Sequence, residues 1–250
     1  MKKKLSVVLF MLCFGFGLAN ALVIQEYAVR GVRPSDRVSS LEFNPEIDVS
    51  DDSRGESTSL LTVKYYQDIK DKYSIGIEVP GARYESPEKS RTGLGDILLA
   101  ASYTQAFDNF SMVFLMENTL PTATDDTLGT GKWYVDFSAA FDISFTDNIF
   151  FATGYKYYVS ILGDDSRNNI NRSRVRGILG YMTDSTFYVL LDNLYHIDFE
   201  NSSQAYILDV EFGMMLENDL SLYIKPGWQL GGAKHIKDWS LSFGVKLLNL

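Results

Sequence analysis

Residues 133–145 alternate strictly. Trp133, Val135, Phe137, Ala139, Phe141, Ile143 and Phe145 fall on one parity, and Tyr134, Asp136, Ser138, Ala140, Asp142 and Ser144 on the other. Successive side chains of a strand point to opposite faces, so this segment predicts a strand with one oily and one polar side. The end of the chain reads alike. Leu220, Leu222, Ile224, Trp228 and Leu230 oppose Ser221, Tyr223, Lys225 and Gln229, and Trp239, Leu241, Phe243, Val245 and Leu247 oppose Ser240, Ser242, Gly244 and Lys246.

The same pattern places strands at 58–69, 73–84, 94–106, 110–120, 132–145, 149–161, 171–182, 186–198, 204–216, 220–231 and 238–248. Short turns holding Asp71, Asp108, Asp147, Asp184 and Asp219 separate them in pairs, at gaps of 37, 39, 37 and 35 residues. Such a period fits a hairpin of about 24 strand residues, a turn of about 3 and a loop of about 10. Tight turns on one side and longer loops on the other are the plan of an outer-membrane barrel.

Eleven strands do not close a single-chain bacterial barrel, which has an even number and both ends in the periplasm. The twelfth is expected at 38–49, where Leu41, Phe43 and Ile47 alternate with Glu42, Asn44 and Glu46. The fold class expected is therefore all-β: a transmembrane antiparallel up-and-down β-barrel of about 12 strands with N- and C-termini periplasmic. Six polar segments connect its other end: 50–57, 85–93, 121–131, 162–170, 199–203 and 232–237.

A soluble barrel or sandwich would alternate too. Two features favour lipid. Aromatic residues crowd both strand ends: Tyr73, Phe107, Phe110, Phe145, Phe150, Phe151 and Phe187 at the tight turns, and Trp133, Tyr157, Tyr195, Trp228 and Trp239 at the far side, as two interfacial girdles would. The polar face also carries many charges, which a soluble core would have to pair one by one.

The first residues address the chain to export. Lys2, Lys3 and Lys4 precede the uncharged run 5–18, and Ala19-Asn20-Ala21 is a small-x-small cleavage site. Residues 1–21 read as a signal peptide, 22–36 as a short periplasmic tail or plug segment, and 37–250 as the barrel. A lipoprotein reading of Cys13 fits less well, because Leu12 before it is bulky and the apolar run continues past it. Cleavage removes three lysines and the single cysteine, so 23 basic against 32 acidic side chains becomes 20 against 32, a formal charge of −12. The mature chain then needs no disulfide, and its acidity argues against nucleic acid. Expected partners are outer-membrane lipid and lipopolysaccharide, the barrel-assembly machinery during biogenesis, and a small-molecule solute. No cofactor is expected.

Parity assigns an inner set, read as pore-lining. Its acids are Glu78, Asp96, Glu117, Asp136, Asp142, Asp192, Asp198, Asp209 and Glu211, and its bases are Lys64, Lys156, Arg172, Arg174, Arg176, Lys225 and Lys246, with His196 on the same face. Arg172, Arg174 and Arg176 form a ladder, and Asp192, Asp209 and Glu211 on the next two strands can pair with it. One reading is a charge-separated constriction; the other is a salt-bridged plug that fills a narrow barrel. Pro45 and Pro226 fall in the first and eleventh strands, either side of the twelfth. They mark either a bulge at a tolerant position or a weak wall for sideways exit. The loop pairs Asp51-Asp52, Asp125-Asp126 and Asp164-Asp165 are expected to be solvated tips rather than metal sites.

Gly93-Leu94-Gly95-Asp96, with Leu120-Pro121-Thr122 and Leu128-Gly129-Thr130-Gly131-Lys132-Trp133, resembles the family of outer-membrane proteins named for the MetA pathway of phenol degradation. The resemblance spans roughly 58–250. It implies an outer-membrane barrel and uptake of small, aromatic compounds; the charged lumen adds polar organic solutes to those expected. The chain is thus expected to be a passive channel rather than an enzyme. The alternatives are a hydrolase using His196 and Asp198 near the barrel mouth, and a surface barrel without transport.

Overall fold

The computed structural model describes residues 38–51, 55–107, 110–183, 186–217, 219–232 and 236–250. The signal-peptide reading, the 22–36 segment, three turn or loop aspartates (Asp52, Asp108 and Asp184) and His235 lie outside them.

The alternating segments form thirteen strands: β1 (Ser40–Asp51), β2 (Glu56–Ile69), β3 (Tyr73–Glu85), β4 (Ser90–Leu94), β5 (Ile97–Ala106), β6 (Phe110–Leu120), β7 (Lys132–Ser144), β8 (Ile149–Gly163), β9 (Asn171–Met182), β10 (Phe187–Asp198), β11 (Ser203–Glu217), β12 (Leu220–Gly232) and β13 (Trp239–Leu248). Chain neighbours pair antiparallel except β4 and β5, which both pair with β3, and β1 pairs with β13, closing the sheet. Twelve strands make the wall; β4 is an extra piece. The strand expected from the alternation of Leu41, Phe43 and Ile47 is β1. Closure leaves no open edge, which a spanning sheet requires.

The expected strand at 94–106 is the one that differs. It is β5 with only Leu94 of β4 before it, and the expected loop 85–93 is mostly a hairpin in which β3 pairs with β4 around a turn at Ser86–Lys89. No apolar alternation marks it, because Arg83, Glu85, Arg91 and Thr92 face no lipid or core.

The tight turns share one end of the barrel with both strand termini. Leu248 N–H donates to the Asp219 carbonyl at 2.8 Å, Asn249 Nδ2 to the Asp219 carboxylate at 2.7 Å, and Leu250 N–H to the Ser39 carbonyl at 3.4 Å. Threonines close two of the turns. Thr146 Oγ1 accepts from Asn148 and Ile149 N–H, and Thr183 Oγ1 from Thr186 and Phe187 N–H.

Burial follows parity. Phe43, Leu61, Ile75, Phe114, Phe137, Leu179, Phe212 and Phe243 are exposed on the outside, while Glu42, Asn44, Glu117, Asp136, Asp192 and Asp209 are buried inside. An oily exterior around a polar interior inverts a soluble barrel. Outward aromatic rings meet near the turns, with Tyr73 and Tyr103 centroids 5.3 Å apart and Phe107 and Phe110 stacked at 4.6 Å. Tyr157 and Phe199 meet at the other end at 6.4 Å.

Phe150, expected in the turn-side girdle, points inward instead and is fully buried. It belongs to an inner apolar patch with Ala152, Ile178, Met182, Tyr188 and Leu190, with Tyr223 packed against it. Four inner rings lie across the glycine directly opposite on the next strand: Tyr66 over Gly76, Phe150 over Gly180, Tyr188 over Gly213 and Tyr223 over Gly244. A Cβ at any of the four would collide with ring atoms. Glycine here supplies room for a ring to lie along the wall.

Neither proline makes a bulge. The ladders beside Pro45 (β1 to β13) and Pro226 (β12 to β11) each skip two residue pairs and resume in unchanged register. At Pro45 the gap is filled: Asn44 Nδ2 donates to the Phe243 carbonyl at 3.0 Å, where the missing N–H would have pointed. The β12–β13 ladder, where a weak wall was the sharper reading, runs unbroken from Leu220↔Leu247 to Trp228↔Trp239.

Candidate functional site

The register puts the strand-borne charges of the expected set on the face opposite the exposed apolar side chains, and cross-strand neighbours determine what each does. Around Glu42 three strands meet. Lys64 of β2 and Lys246 of β13 each lie 3.6 Å from its carboxylate, and Tyr223 Oη donates to it at 2.6 Å. Asn44 Nδ2 donates to the same tyrosine oxygen at 2.7 Å. Lys64 stands opposite Glu78 of β3, which accepts from Tyr66 Oη at 2.5 Å. Glu42 was part of the alternation but was missed as a site residue. The signal was its parity with Lys64 and Lys246 once β1 closes on β13.

Across the barrel Lys156 of β8 binds Glu117 of β6 and, at 3.0 Å, Asp136 of β7. Tyr158 lies one inward position further along β8. Its ring faces Lys156 Nζ at 5.4 Å, Arg172 at 4.8 Å and Arg174 at 5.7 Å, and Arg172 also covers Tyr134 at 5.9 Å. These cation–π contacts hold the guanidinium planes against the wall.

The arginine ladder is not uniformly paired. Arg176 makes a two-pronged contact with Asp192, Nε to Oδ1 at 2.9 Å and Nη2 to Oδ2 at 2.5 Å. Among the described residues Arg172 and Arg174 contact tyrosine rings and no carboxylate. Asp209 and Glu211, expected to serve the ladder, are engaged elsewhere: Lys237 Nζ reaches Asp209 at 3.2 Å, and Tyr188 Oη donates to Glu211 at 3.1 Å. Lys237 ends the expected loop 232–237. It is buried, and its Nζ also donates to Ser240 Oγ at 2.6 Å.

Asp142 is buried on the inner face, and Lys225 stands opposite Ser242. His196 lies in register with Arg174 and Ala205. The carboxylate of Asp198, its partner in the hydrolase reading, accepts from Asn201 N–H at 3.0 Å and Nδ2 at 3.1 Å, so it caps the turn after β10.

Asp96 is a loop anchor rather than a free wall charge. Its Oδ1 accepts from Ala123 N–H at 3.1 Å, and its Oδ2 from Thr130 N–H at 2.6 Å and Thr130 Oγ1 at 2.9 Å. Thr122 and Thr124 Oγ1 accept from Ile97 and Leu94 N–H. Loop 121–131 thereby folds back over the inner face of β3–β5, with Thr124 and Leu128 against Gly93. The glycines of the motif at 93, 95 and 129 provide room for that approach, since a Cβ at each would meet the loop, Pro80 or Asp96. Only Gly131 of this motif needs a positive φ, +67°.

The described acidic pairs at 125–126 and 164–165 sit at solvated tips, and some of their carboxylates also take partners. Asp125 faces Lys89 at 3.6 Å and Arg91 at 3.2 Å, and Asp126 faces Arg167 at 3.5 Å. The Thr127 N–H and hydroxyl, with those two cations, hold the Asp125 carboxyl at about 2. The Ser166 hydroxyl and N–H likewise lower Asp164. Among the described residues no group of three or more His, Cys, Asp or Glu is arranged to hold a metal ion.

Solved barrels share this architecture at low identity. An outer membrane channel from Pseudomonas putida F1 matches with a TM-score of 0.66 and 13% identity, covering 84% of this chain and 94% of that one. The NanC porin matches at 0.60 and 11%, covering 85% and 99%. The KdgM porin in complex with disordered oligogalacturonate matches at 0.58 and 12%, covering 83% and 98%. The fold is that of porin-like outer-membrane barrels. No family model matches the chain, and no curated protein matches it.

Proposed function

We propose that this protein is a passive channel of the bacterial outer membrane. In this reading a cleavable signal peptide exports it, the tight turns and both termini face the periplasm, and small solutes cross through the charged interior. One observation carries it. Arg176 lies on the inner face of a closed wall, yet 45% of its side chain is accessible, so water-sized space reaches the middle of the barrel.

The apolar patch around Phe150 fills one side of the turn end, and loop 121–131 covers part of the other mouth. What is left between them is a restricted path beside β6–β9. A narrow path with two arginines that, among the described residues, contact no carboxylate favours small anions over cations. The similar fold of the NanC and KdgM porins supports a channel, and the phenol-degradation resemblance supports small aromatic solutes.

Purified protein in planar bilayers tests this. Conductance steps are expected, with a reversal potential on the anion-selective side that moves toward zero in Arg174→Ala. No conductance, or a selectivity unmoved by that substitution, would count against the reading.

A further inference from the structure

A recess of about 310 Å³ opens in the inner wall of β6–β9. The sequence makes it by placing small residues where neighbouring positions are large. Ala140, Gly154 and Ala152 follow one another across β7 and β8, with Ser138 one step along. Val113 and Leu115 of β6 border it on one side and Ile178 of β9 on another. Its volume is at the small end for ligand pockets, roughly 300–1,000 Å³.

Its border also carries one carboxylate, Glu117, and three cations, Lys156, Arg174 and Arg176. Two of these are already matched, Lys156 by Glu117 and Asp136, and Arg176 by Asp192. Arg174 is not. It rests on the Tyr158 ring, and among the described residues no carboxylate lies within ion-pair distance of it. A ring contact engages the face of a guanidinium and leaves the N–H groups along its edge for a planar anion.

We propose that this recess is a binding site for monocarboxylates with an apolar body, the carboxylate on Arg174 and the body against Val113, Leu115 and Ile178. It rests on the interior being reached by solutes, but not on their passing through. The combination excludes two neighbouring classes. A carboxylated sugar would leave its hydroxyls against the aliphatic border without hydrogen bonds, and a neutral aromatic would leave Arg174 as unmatched as before. Acetate has the charge without the body to fill the recess.

Calorimetric titration of the protein in lipid nanodiscs tests the site independently of conduction. Benzoate and cyclohexanecarboxylate should bind saturably, and glucuronate, acetate and benzyl alcohol at least about tenfold more weakly. Arg174→Gln should weaken benzoate about tenfold by removing the fork, and Arg174→Lys less. Ala140→Leu should weaken it by filling the recess with the cation intact. Lys72→Gln, at a turn far from the recess, should leave it unchanged. Heat-modifiable gel mobility verifies that each variant is folded. Equal binding of glucuronate or benzyl alcohol, or benzoate binding unmoved by both Arg174→Gln and Ala140→Leu, overturns the proposal. Conductance of the same preparation separates the two ideas. Conductance without benzoate binding removes the recess alone, and benzoate binding without conductance removes the channel alone.

Discussion

Two charge hubs face each other across the interior, and they are built in opposite senses. On the seam side one acid, Glu42, serves two lysines, Lys64 and Lys246. On the β6–β8 wall one lysine, Lys156, serves two acids, Glu117 and Asp136. Each hub ties three adjacent strands. They differ in what happens when the centre is lost. The outer members of the seam hub are long side chains, 25% and 23% accessible, which can swing toward water. Those of the wall hub are short carboxylates, 10% and 1% accessible, held by the strands that carry them. Opposite charges in equal number of contacts therefore do not make equal joints; freedom to rehydrate decides which one can be broken safely.

Removing the centres should expose that difference most strongly. Lys156→Met strands two buried carboxylates beside each other and should cost about 3–5 kcal/mol. Glu42→Gln should cost less, about 1–3 kcal/mol, because its lysines can rehydrate and Tyr223 keeps an acceptor. Urea unfolding in lipid vesicles measures both; a larger loss for Glu42→Gln would reverse the ranking.

The seam also depends on shape in a way that the wall hub does not. Gly244→Ala would drive a methyl into the Tyr223 ring, and an overpacked site of this kind costs about 1–3 kcal/mol. Tyr223→Ala in the same chain should recover part of that loss. If the double variant is no more stable than Gly244→Ala alone, the collision is not the cause.

Asn44→Leu sharpens the seam further. It removes the donor that serves the Phe243 carbonyl beside Pro45, and should cost about 1 kcal/mol. Faster amide exchange along β1 and β13, with β7 and β8 unaffected, is the accompanying signature.

The smallest effect lies outside the barrel wall. Asp125 has its folded pKa lowered to about 2, so its contribution to loop order is fully present above the ordinary carboxylate range and is lost as pH falls through about 2. Pepsin cleavage within loop 121–131 should rise between pH 4 and pH 2, and Asp125→Asn should already be cleaved at pH 4.

Twelve wall strands and the inner parity of the charges were legible because a period of two runs through them without interruption. Even β1 was found by the need for closure. The β3–β4 hairpin was not, since it stands where neither lipid nor core demands an alternating face. Partner choice was legible only where opposite charges share the inner face of adjacent strands, as Arg176 of β9 and Asp192 of β10 do. Lys237 reaches Asp209 from a loop, and Phe150 is turned inward by register against Gly180, and neither leaves a local mark in the sequence. Three glycines of the 93–131 motif record the close passage of a second segment, which their spacing alone does not display.

Tyr223 has a consequence for how the barrel is made. It lies on β12, covers a glycine of β13 and hydrogen-bonds Glu42 of β1, residues that are 181 positions apart in the chain. No partly assembled sheet offers it all three. Its hydroxyl finds its acceptor only when the first strand meets the last, and a sideways slip of β13 by two residues would set a side chain where the ring must lie. One tyrosine thus acts as a latch that engages only on the correct notch.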